Sequence, residues 1–481
     1  MTERYEPTFE SLRKHSVPDW FRDAKLGFWS HWGLGSVPMA GDWYARNMYL
    51  QGSRQYRIHL RLYGHPSHFG YKDLIPLWKA ERFDPMALME RYVDAGARYF
   101  MAQAVHHDSF FNYDSRLQPG FNSVRMGPGK DICRLWQGAA RAFHLPFGVS
   151  EHLAGTYTWY APNKGSDSTG PFAGVPYDGR DPAYEELYTD DYEHYDPSDP
   201  GRIDPWMTGN RRWQERWLSL IRELTDRFHP DMMYSDNPLA FLSPEAPYSL
   251  EAVSCVYNDS IRRHGENRAV YCIKESRRDL YSVGIRDVER SPLDHILDTP
   301  WQTDTCVGCW FYDLEQEYKT PEHVIEMLVD IVSKNGCLML NIPRRPDGAI
   351  DSECGYLLDQ LSHYTHTCGE GLYGTRPYRV YGEDPSCVTI DGFREERVSW
   401  QETDLRFSRK GNTLYVHMMK APEKRVLTVH SLKNGERVTA ARLLGGGETP
   451  FQQYADRVCL RLPDRLPTRY VNCAALELKD E

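Results

Sequence analysis

The feature that most constrains the fold of this chain is an alternation of two kinds of segment that continues through most of its first 380 residues. Short runs rich in β-branched and aromatic residues are followed by longer runs in which apolar residues recur at helical spacing. Such alternation is typical of βα units that build a parallel sheet. The clearest predicted strands are residues 26–31, 98–105, 146–151, 231–236, 269–273 and 337–342.

The segments between these strands carry recognisable helix ends. Asp84 can cap a helix that starts at Pro85, and Gly96 suits the left-handed residue that stops it. The same start signal recurs at Thr320 and Pro321. These signals predict helices that deliver the chain from one strand to the next.

Length and pattern together predict two domains. A βα barrel needs about 250 residues or more, and the chain has 481. We therefore expect an α/β fold in which residues 1–380 form a (β/α)8-like TIM barrel that carries the catalytic site. Residues 381–481 alternate with a period of two and predict a C-terminal antiparallel β-sandwich. The polar stretch 163–204 is expected to be a long βα loop, either functional or an inert insertion.

Charge and composition exclude several classes of partner. The formal charge is -11 and the pI is about 5.9, which disfavours nucleic acid, since phosphate binding needs clustered cations. No apolar run is long enough to predict a membrane span, and the polar, acidic start does not resemble a signal peptide. The eleven cysteines are scattered and suggest buried thiols in a reducing compartment, so we expect a cytoplasmic protein. The sequence does not fix the oligomeric state.

Candidate catalytic residues follow from one rule of barrels, which is that active sites form at the carboxyl ends of the strands. The polar residues that this rule selects are His31, His106, His107, Asp108, Glu151, His152, Asp236 and Glu289. Two carboxylates that face each other among imidazoles and aromatic rings are what glycoside hydrolysis requires. Asp236 and Glu289 are the pair that we select.

Several motifs resemble those of the α-L-fucosidases of glycoside hydrolase family 29. They occur in the family's order and span roughly residues 5 to 380. The motifs are WFRDAKLGFWSHWGL at 20–34, GDWYARNM at 41–48, HHDSF at 106–110, FNSV at 121–124, PGKDI at 128–132, VSKNG at 332–336, LNIP at 340–343 and GTRP at 374–377.

This resemblance implies a retaining exo-glycosidase that removes terminal α-L-fucose from oligosaccharides or glycoconjugates without a cofactor. Asp236 matches the family's nucleophile at the end of PDMMYSD, and Glu289 matches its general acid/base. The resemblance also implies a set of residues that contact the sugar. These are His31, Asp42, Trp43, His106, His107, Tyr234 and Trp301.

The sequence departs from the family pattern at four positions. Gln302 replaces a frequent Glu, which moves the acid/base assignment to Glu289, while Asn237 replaces a frequent Gly after the nucleophile. Ser109 also replaces a Gly, and Asp42 replaces a longer Glu. These changes affect the expected linkage preference more than the expected reaction.

Alternative interpretations remain open at this point. The paired histidines could ligate zinc, but a single His-His-Asp without a helical pair favours no metal site. Cys306 and Cys309 have the spacing of a redox or zinc half-site, although two buried thiols are the simpler interpretation. The sugar could instead be another one, such as an α-L-galactoside, or the barrel could bind carbohydrate without catalysis.

Overall fold

A computed structural model describes residues 4–244, 246–383, 386, 395, 397–432 and 435–480. Its first eight strands form a closed barrel in sequence order, and each strand is parallel to its neighbours. The predicted (β/α)8-like barrel is therefore confirmed. The barrel strands are β1 Leu26–Ser30, β2 Tyr99–Val105, β3 Phe147–Glu151, β4 Met232–Ser235, β5 Val270–Ile273, β6 Ile285–Glu289, β7 Trp301–Cys306 and β8 Gly336–Asn341.

Helices surround the barrel. The α-helices are α1 Phe9–Leu12, α2 Asp19–Ala24, α3 Tyr44–Asn47, α4 Arg54–Leu62, α5 Pro85–Asp94, α6 Ile132–Ala142, α7 Leu153–Trp159, α8 Glu185–Tyr188, α9 Arg211–Phe228, α10 Tyr248–His264, α11 Arg278–Tyr281, α12 Pro321–Ser333 and α13 Ser352–Cys368. Short 3-10 turns cover Leu34–Ser36, Tyr71–Leu77, Ala161–Lys164, Asp178–Arg180, Pro182–Tyr184 and Gly369–Gly371. Among the described residues, none of these helices combines the length and apolarity that a membrane crossing needs.

The helix ends follow the predicted capping chemistry. The Asp84 carboxylate accepts hydrogen bonds from the backbone N–H groups of the first turn of α5, and Gly96 has a φ of 106° just after that helix. Thr320 caps α12 by accepting from the His323 N–H at 3.2 Å. These caps fix where each helix leaves the barrel rim.

Two strands of the barrel were not predicted as such. These are β6 and β7, which lie outside the six strands predicted most clearly from the sequence. Between Trp301 and Cys306 the chain reads Gln-Thr-Asp-Thr, yet all six residues of β7 are buried. A polar strand of this kind lacks the apolar signature because its side chains meet polar partners inside the barrel.

An aromatic ring fills the lower part of the barrel. The Tyr99 ring lies so close to Gly27 that a Cβ there would be 2.3 Å from its Cζ atom, so only glycine fits at this position of β1. The Tyr99 hydroxyl donates to Gln302 Oε1 at 2.9 Å on the other side. The closed lower half leaves the upper end as the place for a cavity.

The C-terminal residues form two antiparallel sheets that share an apolar core, as predicted. The strand Arg376–Glu383 already pairs with this part, and it spans the boundary predicted between residues 380 and 381. The strands are β9 Arg376–Glu383, β10 Leu405–Lys410, β11 Thr413–Met418, β12 Val426–Val429, β13 Glu436–Leu443, β14 Gly447–Glu448, β15 Phe451–Gln453, β16 Val458–Arg461 and β17 Asn472–Asp480. Part of the predicted domain, including residues 387–394, lies outside the described residues.

A buried ion cluster joins the C-terminal sheets to the barrel. Asp330 on α12 accepts from Arg406 Nε of β10 at 2.6 Å and from Lys334 Nζ at 2.7 Å. Arg406 is fully buried and Asp330 is 3% exposed. Burial disfavours the Asp330 carboxylate, but the two adjacent cations outweigh it and lower the pKa of this group.

We expect Asp330→Asn to destabilise the protein by about 3–5 kcal/mol, because it leaves Arg406 buried without a full counter-charge. The free energy of unfolding in urea measures this loss. Asp359→Asn is the matched control, because its partner Arg91 lies on the surface and the pair contributes at most about 1 kcal/mol. Equal effects of the two substitutions would contradict the role given to the buried cluster.

Candidate active site

The carboxyl ends of the barrel strands surround a cavity of about 440 Å³. Its floor is buried and its rim is partly exposed, so it is open at one end only. The residues that line it are Trp29, His31, Asp42, Trp43, His106, His107, His152, Trp206, Tyr234, Asp236, Asn237, Pro238, Lys274, Glu289, Asp304, Trp310 and Phe311.

Three consecutive strands bring the two selected carboxylates together. Asp236 follows β4, Lys274 follows β5, and Glu289 is the last residue of β6. The Asp236 N–H donates to the Glu151 carbonyl at 3.1 Å, and the Lys274 N–H donates to the Asn237 carbonyl at 3.2 Å. The backbone hydrogen bonds between neighbouring strands therefore continue past the ends of β4 and β5. Neighbouring strands of one sheet thus place these side chains at one edge of the cavity.

The Lys274 ammonium bridges the two carboxylates. Its Nζ donates to Asp236 Oδ1 and to Glu289 Oε2. Two charge-assisted hydrogen bonds of ordinary length, about 2.7–2.9 Å each, separate the bridged oxygens by no more than about 6 Å. Asp236 and Glu289 therefore face the same cavity at short range.

The surroundings separate the proton affinities of the pair. Burial raises the pKa of Glu289 to about 7 against the opposing effect of Lys274, and the nearby negative charges of Asp304 and Asp236 add to this rise. Burial also acts on Asp236, but Lys274 and the adjacent imidazole of His152 outweigh it and hold the pKa of Asp236 well below its usual range. Near neutral pH, Asp236 is ionised while Glu289 retains much of its proton.

A second pair of acids lies beneath the first. Asp304 is buried on β7, and burial together with the charge of Asp287 raises the pKa of Asp304 well above its usual range. The Tyr234 hydroxyl contacts Asp304 Oδ2 at 3.0 Å and Asp236 Oδ1 at 3.3 Å. The Tyr234 hydroxyl therefore links Asp304 to Asp236.

Four imidazoles form one side of the floor. The ring centroids of His31, His106 and His152 lie 4.5–5.0 Å apart, and their burial lowers the pKa of each ring. His107 Nε2 lies 3.6 Å from Asp236 Oδ2. Neutral imidazole both donates and accepts hydrogen bonds, which suits sugar hydroxyls. Nitrogens of His31, His106 and His152 lie within 4.8 Å of one another, so these three residues could together ligate a metal ion.

Aromatic rings complete the walls. Trp29 and Tyr234 pack at 4.8 Å between centroids, and Trp310 lies 5.3 Å from Trp29. Asp42 accepts from the Phe311 N–H at 2.9 Å, and burial raises the pKa of Asp42 to about 6. The cavity therefore presents apolar ring faces beside polar groups, as an amphipathic sugar requires.

Asp108 and Glu151, which the rule of strand ends also selected, do not line this cavity. The structure places there all but one of the residues assigned to catalysis or sugar contact. The exception is Trp301, and its assignment to substrate contact is corrected. Trp301 begins β7, is fully buried, and donates from its indole to the Lys334 carbonyl at 2.8 Å. It packs over Gly336 at the lower end of the barrel, whereas Asp304, three residues further along the same strand, reaches the cavity.

Sequence reasoning missed several residues that line the cavity. Lys274 follows a predicted strand directly, so the rule of strand ends would have selected it had cations been considered. His152 was selected by that rule but not carried into the site. Asp304 was not selected because its strand, β7, was not predicted. Trp206 lies in a long loop, where no periodic signal marks it.

Comparisons with known proteins agree with this geometry. The family model described as Alpha-L-fucosidase matches residues 1–370. Tissue alpha-L-fucosidase of Rattus norvegicus is 25% identical over 99% of this chain and 92% of its own length. Plasma alpha-L-fucosidase of Homo sapiens is 27% identical over 92% of this chain and 85% of its own length. The structure of Thermotoga maritima alpha-fucosidase in complex with fucose has a TM-score of 0.75, 23% identity, and coverage of 98% of this chain and 100% of that one.

A closed βα barrel whose mouth holds a bridged carboxylate pair among imidazoles and aromatic rings defines a glycoside hydrolase. More specifically, the chain belongs to the alpha-L-fucosidase family, glycoside hydrolase family 29.

The bridge predicts how the activity of this enzyme depends on pH. Lys274→Met removes a cation that lowers the pKa of both Asp236 and Glu289, so both limbs of the pH profile of kcat/KM should move to higher pH by about one unit or more. An aryl α-L-fucoside serves as the substrate. Lys274→Arg keeps the charge and should hold both limbs close to those of the wild type. Limbs that do not move in Lys274→Met would contradict the electrostatic role of Lys274.

Proposed function

We propose that the enzyme hydrolyses terminal α-L-fucosyl linkages by double displacement, with Asp236 as nucleophile and Glu289 as general acid and base. The observation that carries this proposal is the bridged pair in a cavity closed at one end. One ammonium that contacts both carboxylates holds them at short range, which favours the roughly 5–5.5 Å separation of retaining glycosidases over the roughly 6.5–9.5 Å of inverting ones.

In the first step, ionised Asp236 attacks the anomeric carbon as the bond to the leaving oxygen breaks. Glu289 gives its proton to that oxygen, so the leaving group departs as a neutral alcohol. The charge that develops on the sugar ring is positive, and the Asp236 carboxylate stabilises it before the covalent bond forms. The product of this step is a β-linked fucosyl ester of Asp236.

In the second step, Glu289 acts as a base. It removes a proton from water, which attacks the anomeric carbon and releases Asp236 and α-fucose. Once Asp236 is esterified, its negative charge no longer opposes ionisation of Glu289, so the pKa of Glu289 falls as the base role requires. A covalent intermediate with 2-fluoro-fucosyl fluoride is known for the alpha-L-fucosidase of Bacteroides thetaiotaomicron.

The buried imidazoles account for recognition of the sugar. His31 has both ring nitrogens buried without a partner among the described residues, and His107 has its Nδ1 in the same state. Such groups are costly to bury unless a ligand hydroxyl completes their hydrogen bonds. We assign them, with His106 and Asp42, to the fucose hydroxyls, while Trp29 and Tyr234 offer ring faces to the C5 methyl group.

We also propose a reducing compartment, the cytoplasm, as the place where the enzyme acts. The ten cysteines within the described residues are all unpaired, and most of them are buried. Free buried thiols are typical of such a compartment.

Azide distinguishes the two proposed roles by the stereochemistry of the product. In Asp236→Gly, azide takes the place of the missing carboxylate and attacks the α-substrate directly, so β-fucosyl azide should form. In Glu289→Ala, azide attacks the β-linked intermediate, so α-fucosyl azide should form. Without azide, Asp236→Gly should lose about 10⁴-fold or more in kcat. Glu289→Ala should slow poor leaving groups far more than good ones.

Proton NMR of the isolated azides reads the anomeric configuration. Asp108→Asn is a matched control, because this buried carboxylate accepts from Tyr71 outside the cavity and should give no azide product. The same azide anomer from both active-site variants would contradict the assignment of roles. A clear preference of the wild type for α-L-galactosides over fucosides would overturn the choice of sugar.

A further inference from the structure

The end of the long loop between α7 and α9 is fixed against the rim of the cavity. Arg46 donates to the Gly201 carbonyl at 2.9 Å, and Thr158 donates to the Trp206 carbonyl at 2.9 Å. The Trp206 ring lies over Gly155, where a Cβ would be 2.6 Å from its Cε2 atom. These contacts hold one tryptophan of the loop in a defined place beside the cavity.

Trp206 forms an aromatic rim with Trp43. Their ring planes are 23° apart at 6.3 Å, and Trp206 also stands edge-on to His107 at 5.2 Å. Trp43 is 37% exposed and Trp206 is half-buried, whereas the floor residues His31 and His152 are nearly inaccessible. The two tryptophans thus lie where a ligand that fills the floor would extend towards solvent.

Asn237 adds a polar group to this rim, and the chemistry of tryptophan fixes its orientation. The Trp206 indole is a donor only, so the Asn237 atom that lies 2.8 Å from Nε1 must be the acceptor Oδ1. The other end of the amide, Nδ2, is then a donor. This atom is buried and has no partner among the described residues, and Asn237 is one of the residues that line the cavity.

We propose that Trp206, Trp43 and Asn237 form a second subsite that binds a pyranose leaving group. The inference rests on the proposed function, because a fucose on the floor directs its aglycone towards the rim. A pyranose has an apolar C–H face that can pack on the indole of Trp206. Its hydroxyl or acetamido oxygen can accept from Asn237 Nδ2, which satisfies an otherwise unpaired buried donor.

Asn237 therefore has two roles in this subsite. Its Oδ1 positions Trp206, and its Nδ2 contacts the leaving sugar. A glycine at this position would offer neither group, so the subsite depends on the side chain of Asn237. The enzyme should consequently prefer fucosyl disaccharides of one or two linkages to substrates without a second sugar.

The test compares two substrates within each variant. A panel of α1,2-, α1,3-, α1,4- and α1,6-fucosyl disaccharides is assayed beside α-L-fucosyl fluoride, whose leaving group has no ring. The readout is the ratio of kcat/KM for the best disaccharide to that for the fluoride. Effects on the fucose floor or on chemistry common to both substrates cancel in this ratio.

Trp206→Ala should lower the ratio about tenfold or more, since it removes a stacking surface for only one of the substrates. Asn237→Ala should lower it as well, because the donor is lost and Trp206 loses its anchor. Trp206→Phe retains a ring and should lie between Trp206→Ala and the wild type. Tyr192→Ala is the matched control, because this exposed ring lies on the same loop outside the cavity and should leave the ratio unchanged.

Two different failures can be told apart. If the wild type hydrolyses fucosyl fluoride but Trp206→Ala and Asn237→Ala both keep the wild-type ratio, the second subsite is overturned and the proposed function stands. If the wild type does not hydrolyse fucosyl fluoride, the proposed function itself is overturned. If either Trp206→Ala or Asn237→Ala does not fold, the ratio measured for the other variant decides whether the second subsite stands.

Discussion

The ammonium of Lys274 is the interaction on which the active site depends. It contacts Asp236 and Glu289 at once, and the three residues follow three consecutive strands of the barrel. Without a cation between them, two carboxylates at this distance in a buried cavity would raise each other's pKa and neither would be suited to its task. With it, Asp236 stays ionised while burial keeps Glu289 largely protonated, so the ammonium and burial together set the two different proton affinities that double displacement requires.

The barrel makes this arrangement possible because it fixes the strand ends relative to one another. The β4 and β5 ladders extend one residue beyond the strands, so the backbones of Asp236 and Lys274 are held by hydrogen bonds rather than by loops. Below them, the Tyr234 hydroxyl links Asp304 to Asp236. On the other side, burial keeps the rings of His31 and His106 neutral, so these two add no positive charge near the nucleophile. The rim is built differently, from the loop that carries Trp206, which is where substrate preference can vary without a change in chemistry.

The sequence predicted the barrel, the C-terminal sheets and most of the cavity residues, because strand ends in a barrel point to one place. The prediction was wrong where a residue at the start of a strand was assigned to the site. Trp301 and Asp304 lie on the same strand, β7, but only the second is near its carboxyl end, so the residue at the start of the strand was wrongly assigned to the site. β7 itself was not predicted, because most of its side chains are polar and lack the apolar pattern of a buried strand. Trp206 could not have been predicted, since its position depends on contacts with Asn237 and Thr158 that are distant in sequence.

The central claim is that Asp236 and Glu289 act on one sugar from the same cavity, with Asp236 forming the covalent bond. The most direct measurement is to inactivate the enzyme with 2-deoxy-2-fluoro-α-L-fucosyl fluoride, digest it, and locate the fluorofucosyl group by mass spectrometry. The account predicts that the label lies on Asp236 and that Glu289→Ala still acquires it there. A label on Glu289 or on any other residue of the wild type would contradict the account.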